Sequence, residues 1–61
     1  SYREILDDAR CTLATEYLLV TKMSTEDIAA RLGFSDSANF RRAFKRWTGK
    51  TPHQVREESQ H

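Results

Sequence analysis

Residues 24–51 hold two short helical patterns, each closed by glycine, and this punctuation leaves the chain few folds to choose from. Ser24 precedes Thr25-Glu26-Asp27-Ile28, so its hydroxyl can accept from the free N–H of Asp27 as an N-cap. Met23 and Ile28 take the positions of a hydrophobic staple around that cap. Ile28, Ala29 and Leu32 then form the buried face. Gly33 follows where a helix ends in a left-handed residue, and Phe34 is expected to fold back on the last turn. Asp36 caps a second run, Ser37–Thr48, which Gly49 ends. Thr51, Pro52 and Gln54 start one more short helix with a capping box, and Pro52 suits its first turn because the N–H it lacks has no partner there.

Upstream, residues 3–21 contain neither Gly nor Pro and are rich in Leu, Ala, Glu and Arg, good helix formers. Leu6, Ala9, Leu13, Tyr17 and Val20 recur at helical spacing, with Ala14 and Leu18 widening the stripe. Asp7, Asp8, Thr12, Thr15 and Glu16 lie largely off it. The pattern predicts one long amphipathic helix, with Lys22 near its C-terminus complementing the helix dipole. No segment alternates as a strand does, and there is no internal repeat. The expectation is therefore all-α: a long helix over 3–21, a helix-turn-helix over 24–48, and a short C-terminal helix over 51–58. The polar tail from Glu57 to His61 is expected to fray. The expected core is Leu6, Leu13, Tyr17, Leu18, Ile28, Ala29, Leu32, Phe34, Phe40, Phe44, Trp47 and Val55.

Sixty-one residues make a single helical unit, 1–61, of marginal size. A chain this short buries only about 60% of its unfolded surface. Cys11 is alone, so no disulfide within the chain can supplement the core; a lone cysteine suits a reducing compartment or a small apolar position. No window is apolar enough to span a bilayer, and no signal-peptide pattern opens the chain. The sequence begins without methionine, inside a helical pattern, which leads us to expect a piece of something longer. Only His53 and His61 could join Cys11 as metal ligands, so neither metal nor cofactor is expected. There is no Ser/His/Asp arrangement, paired-carboxylate site or phosphate-cradling glycine loop, and Ser24 and Ser35 read as cap and turn residues; an enzyme is not expected.

The net charge of +1 hides an asymmetry. Residues 1–30 carry three basic and six acidic residues, a net −3, whereas residues 31–61 carry seven and three, a net +4. Five basic residues and no acid lie between Arg41 and Lys50. Stepping about 100° per residue turns Phe40, Ala43, Phe44 and Trp47 inward. The opposite side is Ala38, Arg42 and Lys45, with Arg41 and Ser37 on one shoulder and Arg46 on the other. A helix of this kind, preceded by a short helix and a glycine turn, is built to enter the major groove of DNA with its N-terminal half. Ser37, Ala38, Arg41 and Arg42 are accordingly the base-reading candidates. Arginine can bond guanine O6 and N7 together, serine can bond several bases, and an alanine methyl can meet a thymine methyl. Lys45 and Arg46, further along, are placed for phosphate. The capped helix starts offer further phosphate candidates: Ser24 and Thr25 at one, and Lys50, Thr51, His53 and Gln54 at the other. Glu26 and Asp27 count against the first of these.

Asp27-Ile28-Ala29, Gly33-Phe34-Ser35-Asp36, Phe40-Arg41-Arg42-Ala43-Phe44-Lys45, Thr48-Gly49-Lys50-Thr51-Pro52 and Val55-Arg56 together resemble the AraC/XylS family of bacterial transcription regulators. Arg10, Ala14 and Leu18-Leu19 look like that family's linker helix, so the likeness runs from about Ile5 to Arg56. The resemblance implies a linker helix plus the second of two helix-turn-helix units, without the first unit or any sensor domain. It also implies double-stranded promoter DNA and RNA polymerase as partners, a cytoplasmic, nucleoid-associated location in bacteria, and base reading by Ser37, Ala38, Arg41 and Arg42. Val55 departs from the family pattern, where tyrosine more usually precedes the arginine. Small Ser37 and Ala38 beside two arginines make a recognition face whose target cannot be borrowed from a relative.

An alternative reading is a helical protein-interaction module docking through the acidic residues of the first helix, Glu4, Asp7, Asp8 and Glu16. Salt separates the two. Binding through n phosphates weakens with a log–log slope of about −0.9n, while a protein interface depends on salt far less.

Overall fold

A computed structural model describes residues 1–60. It contains four helices and, among those residues, no strand: α1 (Tyr2–Val20), α2 (Thr25–Arg31), α3 (Ser37–Thr48) and α4 (Pro52–Ser59). Each start is capped by a side chain. Ser1 accepts from the Glu4 N–H, Ser24 from Asp27 at 3.1 Å and Asp36 from Asn39 at 2.8 Å. At α4 the Thr51 hydroxyl accepts from the Gln54 N–H at 3.1 Å, while the Gln54 side chain accepts from the Thr51 N–H at 2.8 Å, a complete capping box.

The turn between α2 and α3 is a Schellman closure. Gly33 has φ of +87°, the Phe34 N–H donates to Ala29 at 3.0 Å and the Gly33 N–H to Ala30 at 3.2 Å. A side chain at that φ would be strained, although nothing lies within 4 Å of where its Cβ would be; backbone conformation selects glycine here, not space.

Ala14, Leu18, Ile28, Ala29, Phe40 and Phe44 form the core, with Tyr17, Met23, Leu32, Phe34, Trp47 and Val55 packed around it. Phe34, Phe40, Phe44 and Trp47 form a chain of tilted aromatic contacts 5.5–6.1 Å between ring centroids, a favoured offset geometry.

Three sequence expectations need correction. Leu6 and Leu13 are not core: they are 37% and 41% exposed, and Ala9 and Val20 are exposed with them. The inward face of α1 is instead Asp7, Arg10, Cys11, Ala14, Tyr17 and Leu18, rotated from the Leu6–Leu13 stripe by roughly a third of a turn. The sequence carries two apolar stripes on α1, and only one meets the rest of the unit. Small Ala14 allows close approach on that side, and the Asp7–Arg10 ion pair at 2.8 Å neutralises its polar positions.

Lys22 lies exposed beyond the helix, with no basic residue in the last turn of α1. The cation at that C-terminus comes from α4. The guanidinium of Arg56 donates from Nη1 to the Met23 carbonyl at 2.6 Å and from Nη2 to Thr21 at 3.1 Å and Tyr17 at 3.3 Å; Nε donates to Leu18 at 3.2 Å. One side chain thereby places a cation against the carbonyls that close α1 and the turn after it, and joins α4 to both. Finally, α4 runs to Ser59, one residue past the expected end at 58; His61, in the tail expected to fray, lies outside the described residues.

Candidate nucleic-acid interface

Burial divides α3 cleanly. Phe40 and Phe44 are fully buried and Ala43 nearly so, while Arg41, Arg42, Lys45 and Arg46 are exposed. The core thus fixes the rotation of the helix and turns its cations to solvent. Ser37 and Ala38, in the first turn, are half-buried on the same outer side.

Both arginines expected to read bases, Arg41 and Arg42, are held by neighbours on α3. Arg41 Nη1 donates to the Ser37 hydroxyl at 3.1 Å. Arg42 Nη2 donates to Asn39 Oδ1, and Asn39 Nδ2 in turn donates to the Ser35 hydroxyl at 2.6 Å. Asn39 was missed in the sequence reading. Its signal was available, because three residues before Arg42 is a helical neighbour within side-chain reach. Pairing of this kind orders a long side chain before it meets a ligand, lowering the rotamer entropy lost on binding.

The outlying candidates are more heavily engaged. Lys50 Nζ lies 2.8 Å from Glu58, and His53 Nε2 lies 3.2 Å from Glu57. Thr51 and Gln54 bind one another in the capping box, so their side chains already have partners. Ser24 is likewise occupied as a cap, and Thr25 is half-buried beside exposed Glu26 and Asp27. The structure gathers Ser37, Ala38, Arg41, Arg42, Lys45 and Arg46 on one helix; the α4 group stands at the start of another, and Ser24 and Thr25 at a third.

Beside the outer face lies a cleft between α1 and α3, walled by Arg3, Asp7 and Arg10 on one side and Arg42, Arg46 and Trp47 on the other. Arg10 reaches across it, its guanidinium carbon 4.7 Å from the Phe34 ring centroid and 6.0 Å from that of Trp47. This cation–π contact ties α1 to the helix-turn-helix. Of the four acidic residues the rival reading needs, Asp7 is half-buried and paired with Arg10 at 2.8 Å.

Two helices joined by a glycine turn, the second buried by its aromatics and basic outside, define a helix-turn-helix unit. A family profile described as a helix-turn-helix domain matches residues 1–58. The chain belongs to the AraC-type helix-turn-helix family of transcription regulators. It is 53% identical over 57 residues to the ornithine utilization regulator of Pseudomonas aeruginosa, covering 93% of this chain and 17% of that protein. It is 39% identical over 59 residues to the urease operon transcriptional activator of Escherichia coli, covering 97% of this chain and 20% of the relative. Among solved structures, the transcriptional regulator CdpR from P. aeruginosa superposes with a TM-score of 0.87 at 40% identity, over 93% of this chain and 18% of that one. The chain therefore spans about a fifth or less of these relatives. Its relatives are transcription regulators rather than enzymes, and among the described residues no helix is long and apolar enough to cross a membrane.

Proposed function

We propose that the chain binds promoter DNA sequence-specifically by inserting the N-terminal half of α3 into the major groove. The observation that carries this reading is the division of α3, with aromatics fully buried on one side and Arg41, Arg42, Lys45 and Arg46 exposed on the other. Ser37, Ala38, Arg41 and Arg42 read base edges in this scheme, with Asn39 orienting Arg42. Lys45 and Arg46 take phosphates of the groove walls. Lys50, Thr51, His53 and Gln54 contribute at the start of α4, where Lys50 must leave Glu58 to reach a phosphate. Ser24 and Thr25 are the weakest members of the set because of their acidic neighbours.

We infer, in line with the resemblance, that the longer parent acts in the bacterial cytoplasm, on the nucleoid, and activates through RNA polymerase. The exposed stripe of α1, with Ile5 70%, Leu6 37% and Leu13 41% exposed, supports packing against the first helix-turn-helix unit of that parent. With two units inserted, more phosphates are neutralised than with one, and the fragment alone binds far more weakly.

The test is selection of bound duplexes from a random pool by the longer parent, followed by titration of the chosen site with this chain. Enrichment of a motif whose half-site this chain also prefers is the expected result. Recovery of unrelated sequences by both proteins, with no motif, would refute sequence reading by α3.

A further inference from the structure

The cleft between α1 and α3 extends the interface beyond the helix-turn-helix, an inference that rests on the DNA reading above. Four arginines face it, Arg3, Arg10, Arg42 and Arg46, against one carboxylate, Asp7. That carboxylate is already paired with Arg10 at 2.8 Å. Arg10 itself lies over Phe34 and Trp47, at the floor of the cleft rather than its rim.

Three cations remain, exposed and without an ion-pair partner among the described residues: Arg3, Arg42 and Arg46. Arg46 stands one turn beyond Arg42 on α3, on the shoulder toward α1. Arg3 stands across the cleft, exposed on α1.

We propose that one strand of the duplex, on leaving the outer face of α3, crosses this cleft, with Arg3 and Arg46 taking its phosphates from opposite walls. The site recognises backbone charge alone and carries no sequence information. It makes α1 part of the DNA-binding surface as well as a spacer. Duplex backbone is the occupant to which the surface commits, because the cleft is continuous with the base-reading arginines through Arg42.

The experiment titrates a fluorescent duplex with the 61-residue chain across a KCl series. Arg3→Gln is expected to flatten the log–log slope by about 0.9 and to weaken every sequence alike, with Arg3→Lys restoring the slope. Thermal melting of Arg3→Gln is expected to match that of the unaltered chain. Trp47, the only tryptophan, gives a second readout: its indole N–H resonance should move on addition of duplex and move less in Arg3→Gln. An unchanged slope for Arg3→Gln beside a flattened one for Arg46→Gln overturns the cleft crossing and leaves the DNA reading standing. Failure of the unaltered chain to bind duplex at low salt overturns both.

Discussion

The arginines at the seams of the molecule and those on the outer face of α3 are the same residue put to opposite uses. Arg10 and Arg56 turn inward. One stacks on Phe34 and Trp47; the other spans four carbonyls at the end of α1. Arg41, Arg42 and Arg46 turn outward, and the bonds recorded for Arg41 and Arg42 run to short polar side chains of their own helix. A planar guanidinium with five donors serves either role. What separates the roles is the helix face, which the buried aromatics set. The inward arginines hold a unit of this size together, and the outward ones are free for a ligand.

That contrast can be broken at its root by rotating α3. Phe44→Ala removes a fully buried ring from the helix that orients the basic face, and is expected to cost about 3–5 kcal/mol, enough to unfold so small a domain. A melting curve matching that of the unaltered chain would show that the inner face had been misassigned. Arg56→Ala comes next, at about 2–3 kcal/mol, because charge-assisted bonds to carbonyls are lost and those carbonyls are left at a helix end. Arg56→Lys should recover only part of this, since an ammonium lacks the fork that spans several carbonyls. Full recovery by lysine, read in urea melts, would reduce Arg56 to a simple charge at the helix terminus.

Such roles show where sequence reading succeeded and where it stopped. Ser24, Asp36, Thr51 with Gln54, and the glycines at 33 and 49 each act with partners no more than five residues away, so local chemistry announces them and the structure shows each in place. The inner face of α3 was legible for the same reason: Phe40, Phe44 and Trp47 leave one side apolar. On α1 periodicity was ambiguous because two apolar stripes compete, and Leu6 and Leu13 lie on the one that this unit leaves exposed. Arg56 was invisible as a cap because its acceptors lie 33 to 39 residues away, and no periodicity encodes that distance. Asn39 sits between these cases, since its bond to Arg42 is local but its side chain, in the first turn, reads equally well as solvated.

On the outward side the expected effects fall on binding instead of folding. Arg42→Ala should leave the melt unchanged, lose about 1–3 kcal/mol of duplex affinity, and relax preference at one base position. Equal losses on every sequence would move Arg42 from base reader to phosphate contact. Lys45→Ala carries the smallest effect and the sharpest diagnostic value. Lys45 is exposed a turn past the proposed base readers, and its ammonium carries no planar pattern to match a base edge as arginine does. If it touches phosphate, its loss should weaken preferred and scrambled duplexes by the same factor and flatten the salt slope by about 0.9. If the lysine instead reads a base, the two duplexes should converge in affinity. The base-reading stretch of α3 would then extend a full turn beyond Arg41 and Arg42.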